Sequence, residues 1–151
     1  MIPSTTERVP LHTTESINRE IYRKTEAKVA AASMGGPQAI DRRLQELDRE
    51  WDIERALEAN AAIFTMFGVV WGATADRRWF LLPAAVGAFL LQHAIEGWCP
   101  PVSLFRWMGF RTQWEIERER YVLKALRGDF TDIQGGEGPA AAAEALKAAS
   151  R

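Results

Sequence analysis

Three residues whose side chains could support chemistry lie close together in the sequence, namely His93, Glu96 and Cys99. Their spacing of three residues would place an imidazole, a carboxylate and a thiol on one face of a helix. As metal ligands, the three residues would all come from one helix. The sequence offers no fourth ligand nearby, so we predict no metal site. Nucleophilic catalysis needs Cys99 beside a base, and His93 is nearly two helical turns away. We therefore expect no catalytic residue, no cofactor and no enzymatic activity, and we keep these three as candidate functional residues.

Cys99 is the only cysteine in the chain, which excludes an internal disulfide. The sequence predicts that it lies at the C-terminus of a helix, beside Glu96. The negative end of the helix dipole and the neighbouring carboxylate would both disfavour a thiolate there. We expect a slowly reacting thiol with a structural role, and we expect Gln92 and His93 to reach toward the lipid headgroups.

Charged residues are sharply segregated along the chain. Residues 59–105 carry four of them, whereas the other 104 positions carry 35. Two uncharged runs, residues 59–75 and 79–95, flank Asp76, Arg77 and Arg78. Because charges are costly in the bilayer centre, this pattern predicts an all-α protein with a two-helix transmembrane hairpin. Each run would span about 26 Å as a helix, against a hydrocarbon core of about 30 Å. The alternative is a buried helical hairpin in a soluble protein.

Arginine residues predict the orientation of this hairpin. The turn holds two arginines, Arg77 and Arg78, whereas the flanking segments hold eight. Arginine and lysine near the ends of membrane helices favour the cytoplasmic side. Both termini are therefore predicted to be cytoplasmic, with the turn outside.

Small residues recur at four-residue spacing in both predicted membrane helices. Gly68 and Gly72 form a GxxxG pair in the first, and Ala84 and Ala88 form a similar pair in the second. Small residues let helix backbones approach closely in lipid. Two interpretations stay open, packing within the hairpin and formation of a homodimer.

The segments around the hairpin predict amphipathic cytoplasmic helices. We divide the chain into a charged segment with a short helix at 1–36, an amphipathic helix at 37–58, the hairpin at 59–111, a second amphipathic helix at 112–130 and a flexible Gly/Ala-rich tail at 131–151. Ile40, Leu44, Leu47 and Trp51 form an apolar stripe at helical spacing. We expect this stripe to pack against the C-terminal amphipathic helix, with a coiled-coil or interfacial contact as the alternative.

The net charge and the first residues of the chain argue against two further possibilities, a nucleic-acid partner and a signal peptide. The formal net charge is −1, so there is no electrostatic case for a nucleic-acid partner. The first residues show no apolar core and no cleavage pattern, so we predict no signal peptide.

The second apolar run and the residues after it resemble a known pattern. The residues that carry the likeness are Leu90, Leu91, Gln92, Gly97, Cys99 and Pro100, followed by Met108, Gly109, Phe110 and Arg111. The pattern resembles the YgaP-like inner-membrane domain, a bacterial family of domains of unknown function with two transmembrane helices. The likeness covers residues 52–112. Some relatives carry a rhodanese sulfurtransferase domain before the membrane pair, and this sequence has no catalytic cysteine loop and no room for such a domain before residue 59.

The resemblance therefore implies a bacterial inner-membrane protein and carries over no activity. From the sequence we expect a non-enzymatic membrane anchor or assembly module, with the lipid bilayer as its surroundings. Its partners would be a cytoplasmic protein or a second copy of the chain. The alternative is an oligomer that passes a small solute or a sulfur species, with Cys99 as the acceptor.

Overall fold

A computed structural model describes residues 3–131 and 138–149, and within them the chain is helical without strands. The described residues form eight α-helices: α1 (Arg8–Leu11), α2 (Glu15–Met34), α3 (Pro37–Leu47), α4 (Ile53–Thr74), α5 (Leu81–Glu96), α6 (Pro100–Met108), α7 (Gln113–Arg127) and α8 (Pro139–Ala149). A short 3₁₀ helix, Arg77–Phe80, lies between α4 and α5. The predicted all-α fold with a two-helix hairpin is confirmed.

The chain divides into two compact units. Unit 1 contains residues 1–22 and 51–114, which include the hairpin formed by α4 and α5 together with α1 and α6. Unit 2 contains residues 23–50 and 115–151.

The first membrane helix begins earlier than the uncharged run suggests. The sequence predicts one amphipathic helix over 37–58, but α3 ends at Leu47 and α4 begins at Ile53. Asp52 causes this break, because its Oδ1 accepts a hydrogen bond from the Arg55 backbone N–H at 2.7 Å and so caps α4. With 22 residues, α4 is about 33 Å long, which is enough to cross the hydrocarbon core.

The hairpin closes through its small residues. A Cβ on Gly68 would collide with the Pro83 ring, and one on Gly72 would lie 2.9 Å from the Phe80 ring. Beside this contact, the rings of Phe67 and Trp71 are stacked with centroids 4.3 Å apart. The two glycines of the GxxxG pair therefore pack within the hairpin.

The two membrane helices leave most of their apolar surface uncovered. In the span Ile53–Thr74, 22% of the most apolar 18-residue stretch is buried inside the protein. In the span Arg77–Glu96, 6% of the corresponding stretch is buried. A hairpin in the core of a soluble protein would be mostly buried, whereas lipid is the environment that such exposed apolar helices require.

The base of the hairpin has its own apolar core in unit 1. Val9, Ile53, Leu57, Cys99 and Val102 form a buried cluster, against which Phe105 and Phe110 pack. The Ile53 N–H donates to the Arg111 carbonyl at 2.8 Å, which joins the start of α4 to the chain after α6.

A fully buried arginine also holds the base together. Arg106 in α6 is 0% exposed. Its Nη2 donates to Asn18 Oδ1 at 2.8 Å and its Nε donates to Thr13 Oγ1 at 3.2 Å. Since a buried guanidinium must have its N–H groups satisfied, these bonds fix the chain after α1 against α6.

Unit 2 is built around the predicted apolar stripe. Ile40, Leu44 and Leu47 of α3 cluster with Ile116 and Leu123 of α7. The prediction that the stripe packs against the protein's own C-terminal helix is confirmed for these three residues. Trp51 is different, because it lies beyond α3 and remains 46% exposed.

Ion pairs reinforce the contact between α3 and α7. Arg43 Nε lies 2.7 Å from Glu119 Oε1, and the Glu119 side chain is fully buried. Burial works to lower the pKa of Arg43, but hydrogen bonds to the carboxylates of Glu119 and Glu46 outweigh it and raise that pKa above its ordinary value. Arg43 therefore stays charged inside the unit.

The C-terminal region contains a helix. α8 begins at Pro139, the Ala148 side chain is buried, and Lys124 Nζ donates to the Ala149 carbonyl at 2.7 Å. The remaining part of the predicted flexible tail, residues 132–137 with 150–151, lies outside the described residues.

Candidate functional site

The chain reverses direction between His93 and Cys99. α5 ends at Glu96, Gly97 adopts the left-handed conformation with φ of 79°, and Cys99 becomes the N-cap of α6. The prediction that Cys99 lies at a helix C-terminus is wrong, because glycine lets the backbone turn where a side chain would be strained. The turn also overcomes the six-residue separation from His93.

Cys99 and His93 are both buried at the base of the hairpin, Cys99 within the apolar cluster. Cys99 is 2% exposed and His93 is 4% exposed. The sequence expectation that His93 reaches toward the headgroups is wrong, because the imidazole is enclosed. The structure therefore brings together two of the three candidate residues.

The carboxylate beside His93 comes from Glu54 of α4. It does not come from Glu96, which the sequence placed on the same helical face as His93. The distance from His93 Nε2 to Glu54 Oε2 is 2.7 Å. A carboxylate oxygen accepts hydrogen bonds, so His93 Nε2 donates to Glu54. His93 Nδ1 is buried, and none of the described residues offers it a hydrogen bond.

The N-terminal segment covers this cluster. Arg8 Nη2 donates to Glu54 Oε1 and Arg8 Nη1 donates to the Ala94 carbonyl, both at 2.9 Å. Val9 is buried in the same apolar cluster as Cys99. A Cβ on Gly97 would lie 2.5 Å from the carbonyl carbon of Arg8, so the absence of a side chain at Gly97 permits the close approach.

The other predicted site residues lie apart from the cluster. Glu96 is exposed, and its Oε2 accepts a hydrogen bond from Gln92 Nε2 at 3.5 Å. Ala84 and Ala88 are exposed on α5, whereas Gly68 and Gly72 pack within the hairpin.

Sequence reasoning missed Glu54 and Arg8. A carboxylate in the first turn of a membrane helix was the available signal for Glu54, because ionisable residues near a span need a partner. Nothing local identifies Arg8, which lies 46 residues before Glu54.

The cluster does not converge on a metal position. The hydrogen bond that the structure gives His93 is the one from Nε2 to Glu54. Within the part of the chain that the structure describes, no group of three or more His, Cys, Asp or Glu side chains is placed to hold a metal ion.

A comparison with known families identifies the segment that contains this base. Residues 52–113 match the model of the transmembrane domain of the inner membrane protein YgaP-like family. This segment is similar to the YgaP-like transmembrane domain family. No curated protein and no solved structure matches the chain.

The YgaP-like domain includes Glu54, His93 and Cys99, whereas Arg8 lies before it. Its two helices are the two spans that are long and apolar enough to cross a membrane. The family and the exposed apolar spans together make this chain a membrane protein.

Proposed function

We propose that the protein is a non-enzymatic anchor of the bacterial inner membrane, with both termini in the cytoplasm. The YgaP-like hairpin holds the chain in the bilayer, and unit 2 is the part that meets a cytoplasmic protein partner. The observation that carries this proposal is the separate apolar core of unit 2, formed between α3 and α7. A helical unit with its own core, outside the membrane domain, is what an assembly module requires.

The α7 surface of unit 2 is where a partner would bind. Tyr121, Val122 and Leu126 are 45%, 42% and 51% exposed, although all three are large and apolar. Exposed apolar residues that cluster on one surface are typical of protein interaction sites.

Site-specific photo-crosslinking in living cells tests the anchor function. A photoreactive amino acid at Val122 should give one discrete product with another protein. The same amino acid at Gln45, an exposed polar position of α3, should give none. Equal yields at both positions would contradict the proposed surface, and a product with twice the chain mass would identify a second copy as the partner.

A second candidate function is an oligomer that passes a small solute or a sulfur species, with Cys99 as the acceptor. The observation that favours it is the burial of both Cys99 and His93 at the base of the hairpin. Two thin hairpins cannot enclose a pore. The mass of the detergent-solubilised protein by light scattering therefore separates the functions, since a monomer or dimer rejects the pore and a larger ring supports it.

A further inference from the structure

Helix α6 is apolar on two opposite sides. On the inner side, Val102 is buried in the apolar cluster of unit 1 and Phe105 packs against that cluster. On the other side, Leu104, Trp107 and Met108 are 54%, 74% and 58% exposed. Trp107 and Met108 follow Leu104 by three and four residues, so the three side chains share one face of the helix. We call this set of three residues the α6 outer face.

The α6 outer face carries no charged residue. Arg106 is the one charged residue of α6, and it is 0% exposed because its guanidinium donates inward to Asn18 and Thr13. The single uncharged polar residue of the helix is Ser103. A helix on the surface of a soluble protein turns charged and polar residues outward, whereas a helix that is apolar on all sides has apolar surroundings on all sides. The composition of α6 therefore indicates an apolar environment beside its outer face.

The position of α6 in unit 1 is beside the ends of the two membrane helices. Val102 shares its buried cluster with Ile53, which is the first residue of α4. The Ile53 N–H donates to the carbonyl of Arg111, just after α6, at 2.8 Å. A short turn joins Glu96, the last residue of α5, to Pro100 at the start of α6. Since the spans end where the hydrocarbon core gives way to the headgroups, α6 lies at the depth of that boundary.

A stacked pair at the start of α4 marks the same boundary. The guanidinium carbon of Arg55 lies 4.4 Å from the centroid of the Trp51 ring, and both side chains are exposed. Tryptophan is enriched at the membrane–water interface, where its apolar ring and its polar N–H both find suitable surroundings. Arginine keeps its charged group among the headgroups while its stem lies on apolar surface. The chain thus has one exposed tryptophan just before the first span and another, Trp107, just after the second.

We propose that the α6 outer face docks on the lipid bilayer, with Leu104, Trp107 and Met108 inserted between the headgroups and the first part of the acyl chains. The occupant is lipid because this face continues the exposed apolar surface of the spans, which already meets the same bilayer. An amphipathic helix with tryptophan and leucine on its free side binds the interface in this way. The inference goes beyond the anchor function, because it assigns lipid as the partner of a helix that does not cross the membrane.

Photo-crosslinking to lipid tests the proposal in the full-length protein. A photoreactive amino acid is placed at Leu104, and the protein is illuminated in vesicles of phosphatidylethanolamine and phosphatidylglycerol and then weighed by intact mass spectrometry. The same probe at Met66, exposed in the middle of α4, gives the yield expected in lipid, and the probe at Gln45, exposed on α3, gives the yield expected in water. The lipid adduct at Leu104 should exceed that at Gln45 about tenfold. A yield at Leu104 no higher than at Gln45 would overturn the proposal.

The same probe at Leu104 in living cells distinguishes lipid from the other occupants of this face. The main product should again be the chain with one added phospholipid. A main product with twice the chain mass would show that a second copy covers the face. A main product with another protein would show that a protein partner covers it. Either of these two results would overturn the assignment of lipid.

A substitution on the same face then tests whether Trp107 holds α6 in the bilayer. Trp107→Glu replaces an interfacial anchor by a carboxylate, which is costly in lipid, so the lipid adduct formed at Leu104 in vesicles should fall about fivefold. Tyr121→Glu is the matched control, because Tyr121 is an exposed aromatic residue of α7, and it should leave the yield unchanged. Circular dichroism checks that both variants remain helical. An unchanged yield in Trp107→Glu, or an equal fall in both variants, would contradict the docking of α6 through this face.

Discussion

Glu54 Oε2 and His93 Nε2 lie 2.7 Å apart although 39 residues separate them in the chain. This hydrogen bond joins the first turn of α4 to the last turn of α5, so it closes the hairpin at its base. The second carboxylate oxygen of Glu54 binds Arg8 at 2.9 Å. One carboxylate therefore links both membrane helices and the N-terminal segment.

The first prediction concerns this carboxylate. Glu54→Ala leaves the His93 N–H without its acceptor and Arg8 without its counterion, so it should lower the free energy of unfolding by about 1–3 kcal/mol. Glu58→Ala, one turn further along α4 at an exposed position, should change it by less than about 0.5 kcal/mol. Thermal unfolding in detergent micelles measures both variants. Equal stability of the two would contradict the linking role of Glu54.

The second prediction concerns the cover over Cys99. Gly97 and Gly109 both have positive φ, but only at Gly97 would a Cβ collide with Arg8. Alanine at either position should cost about 1–2 kcal/mol for the left-handed backbone. Gly97→Ala should in addition displace the N-terminal segment and expose the thiol.

Maleimide labelling of Cys99 measures this difference. The labelling rate should rise at least tenfold in Gly97→Ala and remain near the wild-type value in Gly109→Ala. Equal rates in the two variants would show that the N-terminal segment does not limit access to Cys99.

The third prediction concerns hairpin packing. Gly68→Ala places a methyl group against the Pro83 ring, and overpacking of this kind should destabilise the hairpin by about 1–3 kcal/mol. Gly87→Ala is the matched control, because a methyl group at that position would meet no atom within 4 Å. The amount of protein in the membrane fraction and its melting temperature should fall for Gly68→Ala alone. A similar fall for both variants would point to a general intolerance of α4 and α5 to substitution.

The fourth prediction tests orientation. In a Cys99→Ser background, Thr74→Cys should react with an impermeant thiol reagent added to intact cells, whereas Ser33→Cys should not. Neither side chain is buried inside the protein. The physical reason is that the segments flanking the hairpin hold more arginines than the turn does, and arginine favours the cytoplasmic side of the membrane. The reverse labelling pattern would overturn the proposed topology.

The fifth prediction concerns unit 2. Arg43→Ala removes the cation that lies 2.7 Å from the fully buried Glu119 carboxylate, and breaking a buried ion pair should cost about 3–5 kcal/mol. Arg42→Ala, at the adjacent exposed position, should be nearly neutral. Chemical denaturation followed by circular dichroism compares the two. Because the Arg43 pKa is raised from an already high value, its charge is present at every pH near neutrality, so the arginine itself adds no pH dependence there.

Much of the fold follows from the sequence because it depends on local patterns. The segregation of charge marks both membrane helices, and the spacing of Ile40, Leu44 and Leu47 marks the buried face of α3. The boundary between α3 and α4 was predicted wrongly. Charged residues continue through 48–52, so periodicity alone gave no stop, and the side chain of Asp52 decided where α4 begins.

The sequence by itself determined that the chain enters a membrane and that Cys99 and His93 are the residues to examine. Only the tertiary structure decided which groups surround them. Gly97 turns Cys99 back toward His93, while Glu54 and Arg8 arrive from distant segments of the chain. Hydrophobic periodicity reports which face of a helix is buried, but partners across the fold depend on long-range packing, which no local pattern encodes.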